Sequence, residues 1–126
     1  YKAEGYTGII ITDHFFNGNS SVPHDLPWEE RVELYCKGYE HAKARGDEIG
    51  LDVFFGIEFG DGGYDYLIYG LDKQWLRTRA YWIWSCGAFL NMPAPAELSW
   101  FRLTRSGTAI TFTAPPTAPI SPMRWR

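Results

Sequence analysis

The run Gly8-Ile9-Ile10-Ile11-Thr12-Asp13-His14 decides how the rest of the chain is read. Its three isoleucines make it too β-branched and too short for a helix, so it predicts a buried strand over Gly8 to Thr12. The strand ends by delivering an acid and an imidazole. Parallel α/β folds place chemistry at the carboxyl ends of strands, where a rigid strand meets a loop free to vary. A second apolar run, Leu51-Asp52-Val53-Phe54-Phe55-Gly56-Ile57-Glu58-Phe59, delivers the carboxylate of Glu58 in the same manner. If the two strands are parallel neighbours, His14 and Glu58 share one edge of the sheet, with side chains roughly 4 to 7 Å apart and within reach of one ion. An imidazole nitrogen with a carboxylate oxygen suits zinc, manganese or iron.

The elements around these strands follow from local signals. Tyr1 to Gly5 reads as the last turn of a helix with Gly5 as its C-cap. Phe15 to Leu26 is a loop rich in Asn, Gly and Ser. Pro27 stands at a first helical position, and Glu29, Glu30 and Glu33 occupy the opening turns, where acids suit the helix dipole. Val32, Tyr35, Cys36, Tyr39 and Ala42 recur at spacings of three and four, which predicts a helix to about Arg45 with one apolar stripe facing the core. After the second strand, Gly60-Asp61-Gly62-Gly63 is too short to hold a crossover helix, so Tyr64 to Leu71 should return as a hairpin partner.

The chain holds 126 residues, 45% hydrophobic and 17% aromatic, enough for one small domain. Its two halves differ in kind. Residues 1–76 carry 14 acidic and 6 basic side chains and all three histidines, whereas residues 77–126 carry one acid and six arginines. Those arginines are scattered, so nucleic acid is not an expected partner. Trp82, Trp84 and Trp100 could stack on bases, but no basic residues interleave with them. The longest apolar stretch, Ala80 to Leu90, falls short of the roughly 20 residues that span a bilayer. Two cysteines without paired spacing and no signal-like start lead to the expectation of a reducing cytoplasm.

The succession KAEGYTGIIITDH, a long helix, LDVFFGIEF, a turn and DYLIYGLD resembles the PHP (polymerase and histidinol phosphatase) superfamily of metal-dependent phosphoesterases over residues 1 to 76. The resemblance implies an α/β fold, as a fragment of a distorted seven-stranded βα barrel. It also implies two or three divalent ions (Zn, Mn or Fe) at the carboxyl ends of the strands. His14 of the TDH motif and Glu58 of the GxE motif would be ligands, and hydrolysis of a phosphate mono- or diester of a small molecule or nucleotide would be the activity. Asp13 would support the site by orienting a ligand or substrate, or would serve only as a loop acceptor.

The family's opening His-x-His would precede Tyr1, and no histidine follows His41 to supply the later motifs. The chain, which begins at Tyr1 and not at a methionine, is therefore expected to be an N-terminally truncated fragment, inactive as it stands. The alternative is a non-catalytic PHP-like or small binding module. His24 and His41 read as solvated, and Cys36 as a core residue.

Residues 77–126 form a second, atypical segment rich in Arg, Thr, Ala and Pro. A shifted reading frame after about Arg77 and a genuine divergent tail both remain open. Within it, Glu97 to Arg105 reads as a short helix and Thr108 to Thr113 as a strand, with irregular packing expected from about Thr78.

Overall fold

Hydrogen bonding between Gly8–His14 and Asp52–Asp61 organises the molecule, and these strands, β1 and β2, run parallel. The computed structural model describes residues 1–79, 99–103 and 109–113. A parallel pair needs a crossover, and the helix α1, Trp28–Ile49, supplies it with 22 residues. Pro27 sits at its N-cap, one position earlier than the first-turn position expected. The helix also outlasts the expected Arg45, ending where Gly50 adopts the left-handed conformation (φ 68°) and its N–H bonds the Gly46 carbonyl. Lys2–Glu4 is a single 3-10 turn capped by Gly5 at φ 90°.

The hairpin forms as its glycines foretell, with Gly62 and Gly63 at positive φ between β2 and the antiparallel strand β3, Tyr64–Tyr69. A second helix, α2, spans Lys73–Arg79, where the sequence pattern showed nothing regular. Its start rests on Asp72, whose carboxylate accepts from the Trp75 backbone N–H at 2.6 Å, an N-cap that fixes a helix too short to show periodicity. Two further strands, β4 (Ser99–Leu103) and β5 (Ala109–Thr113), continue the sheet antiparallel in the order β1-β2-β3-β4-β5.

This topology corrects two expectations. The seven-stranded βα barrel is absent among the described residues. A barrel needs successive parallel strands, whereas here only β1 and β2 are parallel, every later pairing is antiparallel, and β1 and β5 lie at opposite ends of an open mixed sheet. The short helix expected over Glu97 to Arg105 is also replaced, because Ser99–Leu103 pairs with β3. The strand expected at Thr108 to Thr113 is present as β5. The rest of the atypical segment lies outside the described residues.

One face of the sheet carries the core. Val53, Ile57 and Phe59 of β2 and Tyr66 and Ile68 of β3 are buried on the side of α1, with Val32, Tyr35 and Cys36 from the helix and Leu76 from α2. Burying each large side chain contributes about 1.5–3 kcal/mol. Phe15 and Phe16, just past β1, lie 4.8 Å apart and pack their rings on Tyr35, Phe59 and Trp28 at centroid distances of 5.0 to 5.8 Å, so the loop after His14 is anchored in the core. Salt bridges from Lys73 to Glu33 and Glu40 and from Arg77 to Glu33 hold α2 along α1.

The opposite face lacks such cover among the described residues. Ile10 and Phe54, register partners on that face, are 46% and 56% exposed.

Helix and sheet approach closely at Gly46, where an added Cβ would stand 2.5 Å from the Leu51 carbonyl oxygen and 2.5 Å from Val53 Cγ2. At Gly38 the nearest atom would be Asp13 Oδ2 at 3.1 Å, the end of an exposed side chain that can move aside. Gly46→Ala should therefore destabilise by about 1–3 kcal/mol. Gly38→Ala should be neutral or stabilising by up to about 1 kcal/mol through helix propensity. Urea unfolding midpoints of the two variants check the contrast.

Candidate functional site

The parallel register sets His14 directly beside Glu58. Side chains alternate along both strands, so Ile10, Thr12 and His14 share the open face with Phe54, Gly56 and Glu58. His14 Nδ1 and Glu58 Oε1 stand 3.2 Å apart, the imidazole 47% and the carboxylate 22% exposed. This is closer than the 4 to 7 Å expected from sequence, since register neighbours on one face of a pair project side by side. Two ligands of one ion at about 2.0–2.2 Å from it, on adjacent octahedral or tetrahedral positions, lie about 2.8–3.6 Å from each other. The pair therefore has the chemistry and the spacing of two donors to one cation. No group of three or more His, Cys, Asp and Glu side chains able to hold a metal occurs among the described residues.

Asp13 goes elsewhere. By alternation its side chain is on the α1 face, and its Oδ2 lies against Gly38 of that helix. Its backbone carbonyl accepts a hydrogen bond of 2.6 Å from the Tyr35 hydroxyl, which fixes the end of β1 to α1. Burial, reinforced by the negative charge of Asp13, pushes the Tyr35 phenol well above its ordinary pKa, so Tyr35 remains a donor in this bond. Asp13 thus fixes the end of β1 to α1 through its backbone carbonyl, while its carboxylate lies on the α1 face, away from His14.

The loop leaving β1 doubles back over the pair. The Phe15 N–H bonds the Glu58 carbonyl at 2.7 Å, the Asn17 side-chain amide donates to the Gly60 carbonyl at 2.5 Å, and the Gly18 N–H closes a turn on the Phe15 carbonyl at 2.8 Å. Gly18 is brought so near that a Cβ there would stand 3.3 Å from His14 Nδ1. Neither Asn17 nor Gly18 stands out in the sequence, where Phe-Phe-Asn-Gly-Asn reads only as turn chemistry.

His24 is exposed, as its loop position suggests, and its Nδ1 lies 3.2 Å from Arg31 Nη2. A guanidinium can only donate, so this nitrogen of His24 is the acceptor. Arg31 in turn lies over the rings of Phe16 and Trp28. His41 is exposed on α1. No helix among the described residues is long and apolar enough to cross a membrane. No family model, curated protein or solved structure matches the chain.

Cys36 is 1% exposed inside the core cluster, and burial pushes its thiol up to about 11. Ionisation is therefore disfavoured in the fold, whereas the unfolded thiol ionises near its usual value of about 8.5. The stability that Cys36 confers should be intact below pH about 8.5 and decline as the pH rises from there towards 11. At pH 8 the native Cys36 should resist iodoacetamide while the urea-unfolded chain is alkylated there, as peptide mass mapping will show.

Proposed function

We propose that this chain is part of a metal-dependent phosphoesterase of the PHP type, with His14 and Glu58 as ligands of a divalent zinc, manganese or iron ion. The reading is carried by the 3.2 Å approach of Nδ1 to Oε1 where the parallel pairing of β1 and β2 ends, in solvent reach. The substrate class that follows is a phosphate mono- or diester of a small molecule or nucleotide. A bound divalent ion supplies charge neutralisation for phosphate oxygens and lowers the pKa of a coordinated water.

The protein's own part is positional. β1 and β2 hold the two donors in register, and the Tyr35 bond to the Asp13 carbonyl keeps the strand end from fraying. Surrounding acids are compatible with a phosphate ester because the ion reverses the local charge. A zinc site that hydrolyses needs at least three protein ligands, so two donors alone bind weakly and do not turn over.

A non-catalytic module is the second reading, favoured by the fact that an imidazole and a carboxylate 3.2 Å apart already satisfy each other as a surface ion pair. Zinc or manganese titration separates the two. Binding by the 126-residue chain should be measurable, weakened by both His14→Ala and Glu58→Ala, and unaccompanied by hydrolysis of 4-nitrophenyl phosphate. Both variants should stay folded, because an exposed ion pair contributes at most about 1 kcal/mol. Equal metal binding by the chain and both variants would discard the phosphoesterase reading in favour of the module, and turnover by the chain alone would refute the two-donor argument.

A further inference from the structure

We propose that Asn17-Gly18 is a self-modification site, a deamidation site that the folded loop holds shut and that reacts when the loop lets go of β2. The inference concerns the loop alone and stands whether or not His14 and Glu58 hold an ion.

The sequence supplies the chemistry. Of the three asparagines, Asn17, Asn19 and Asn91, only Asn17 is followed by glycine. A glycine puts no side chain beside the main-chain nitrogen that follows the asparagine, and its backbone reaches conformations closed to other residues. The Gly18 nitrogen can then attack Asn17 Cγ. A C–N bond forms, the Gly18 nitrogen gives up its proton and Nδ2 leaves as ammonia, which closes a cyclic imide. Water opens the imide at either carbonyl, giving aspartate or an isoaspartate whose main chain runs through Cγ. The net change is a water consumed and an ammonia released, with nothing oxidised or reduced.

The structure supplies the restraint. Asn17 and Gly18 are exposed, so water and hydroxide reach them, yet both reacting groups are engaged. Asn17 Nδ2 donates to the Gly60 carbonyl at 2.5 Å, which turns the amide towards β2, and the Gly18 N–H donates to the Phe15 carbonyl at 2.8 Å. While both bonds hold, the nitrogen cannot swing onto Cγ. The start of the turn is fixed as well, since Phe15 and Phe16 are buried and the Phe15 N–H bonds the Glu58 carbonyl. Reaction therefore waits on local opening of the loop.

Once formed, the product does not close again. An ionised carboxylate at 17 can only accept, so it repels the Gly60 carbonyl that the amide bonded. Isoaspartate also adds a methylene to the main chain between positions 17 and 18, and the turn that seats the Gly18 N–H on Phe15 loses its span. A Cβ built on Gly18 falls 3.3 Å from His14 Nδ1, so the segment that loosens is the one beside the imidazole. An opening of the loop thus leaves a permanent change next to His14.

The test incubates the 126-residue chain at mildly alkaline pH, folded and in guanidinium chloride, and locates by peptide mass mapping with fragmentation the gain in mass as NH2 is replaced by OH. In denaturant Asn17 should react ahead of Asn19, and Gly18→Ala should slow it severalfold. In the folded chain Asn17 should react about tenfold or more slowly than in denaturant, as a group that waits on local opening does. Folded Asn17→Asp, which matches one product, should exchange its Gly18 amide with deuterium about tenfold faster than the wild type while the amides of Ile57 and Phe59 keep their protection.

Deamidation of Asn19 ahead of Asn17 in denaturant, or an Asn17 that stays intact there, would overturn the site. Equal rates in the folded and denatured chains would overturn the restraint, and wild-type exchange at Gly18 in Asn17→Asp would show that the bond to Gly60 does not hold the loop.

Discussion

The packing of α1 on β2 is the constraint on which everything else depends. A parallel pair cannot close through a tight turn, so β1 and β2 exist as neighbours only because 22 residues of helix cross between them. The crossing is tight at Gly46, where the helix backbone meets Leu51 and Val53, and the apolar stripe of Val32, Tyr35 and Cys36 then lies on Ile57 and Phe59. These contacts place Gly8 opposite Asp52. The rest of the register, ending at His14 opposite Glu58, follows two residues at a time.

The same packing divides polar from apolar work at the end of β1. Alternation sends Asp13 towards α1 and His14 to the open face, so adjacent residues of one motif serve different ends. The Asp13 carbonyl anchors the strand through Tyr35, while His14 meets Glu58 near solvent. Phe15 and Phe16 then return the chain to the core. Because those two rings are fixed, the short turn through Asn17 and Gly18 has little freedom and closes over the imidazole. His14 and Glu58 thus stand on a rigid strand pair, the kind of element that positions side chains more precisely than a loop does.

Much of the first 76 residues was legible because their signals are local. The isoleucine run, the Pro27 start of α1, its three-and-four spacing and the Gly62-Gly63 turn each carry a physical cause within a few residues. The helix α2 was not, since seven residues show too little periodicity and its cap at Asp72 looks like any loop acid. Ser99–Leu103 was misread as helix because partner strands, not intrinsic preference, decide the state of so short a segment. The barrel expectation failed at a larger scale. It rested on the family resemblance, and the glycine hairpin after β2 turned the sheet antiparallel instead.

By itself the sequence determined that one apolar strand ends in His14, that a second carries Glu58 and that a helix long enough to cross joins them, because strand runs and helix stripes are written in residue type and spacing. Only the tertiary structure decided that these two side chains stand 3.2 Å apart, that Asp13 turns away from them and that Gly18 closes against Nδ1. Those outcomes depend on strand register and on a loop folding back over residues distant in the chain. Residues 17 and 60 must first be brought together, and no local signal in either one names the other.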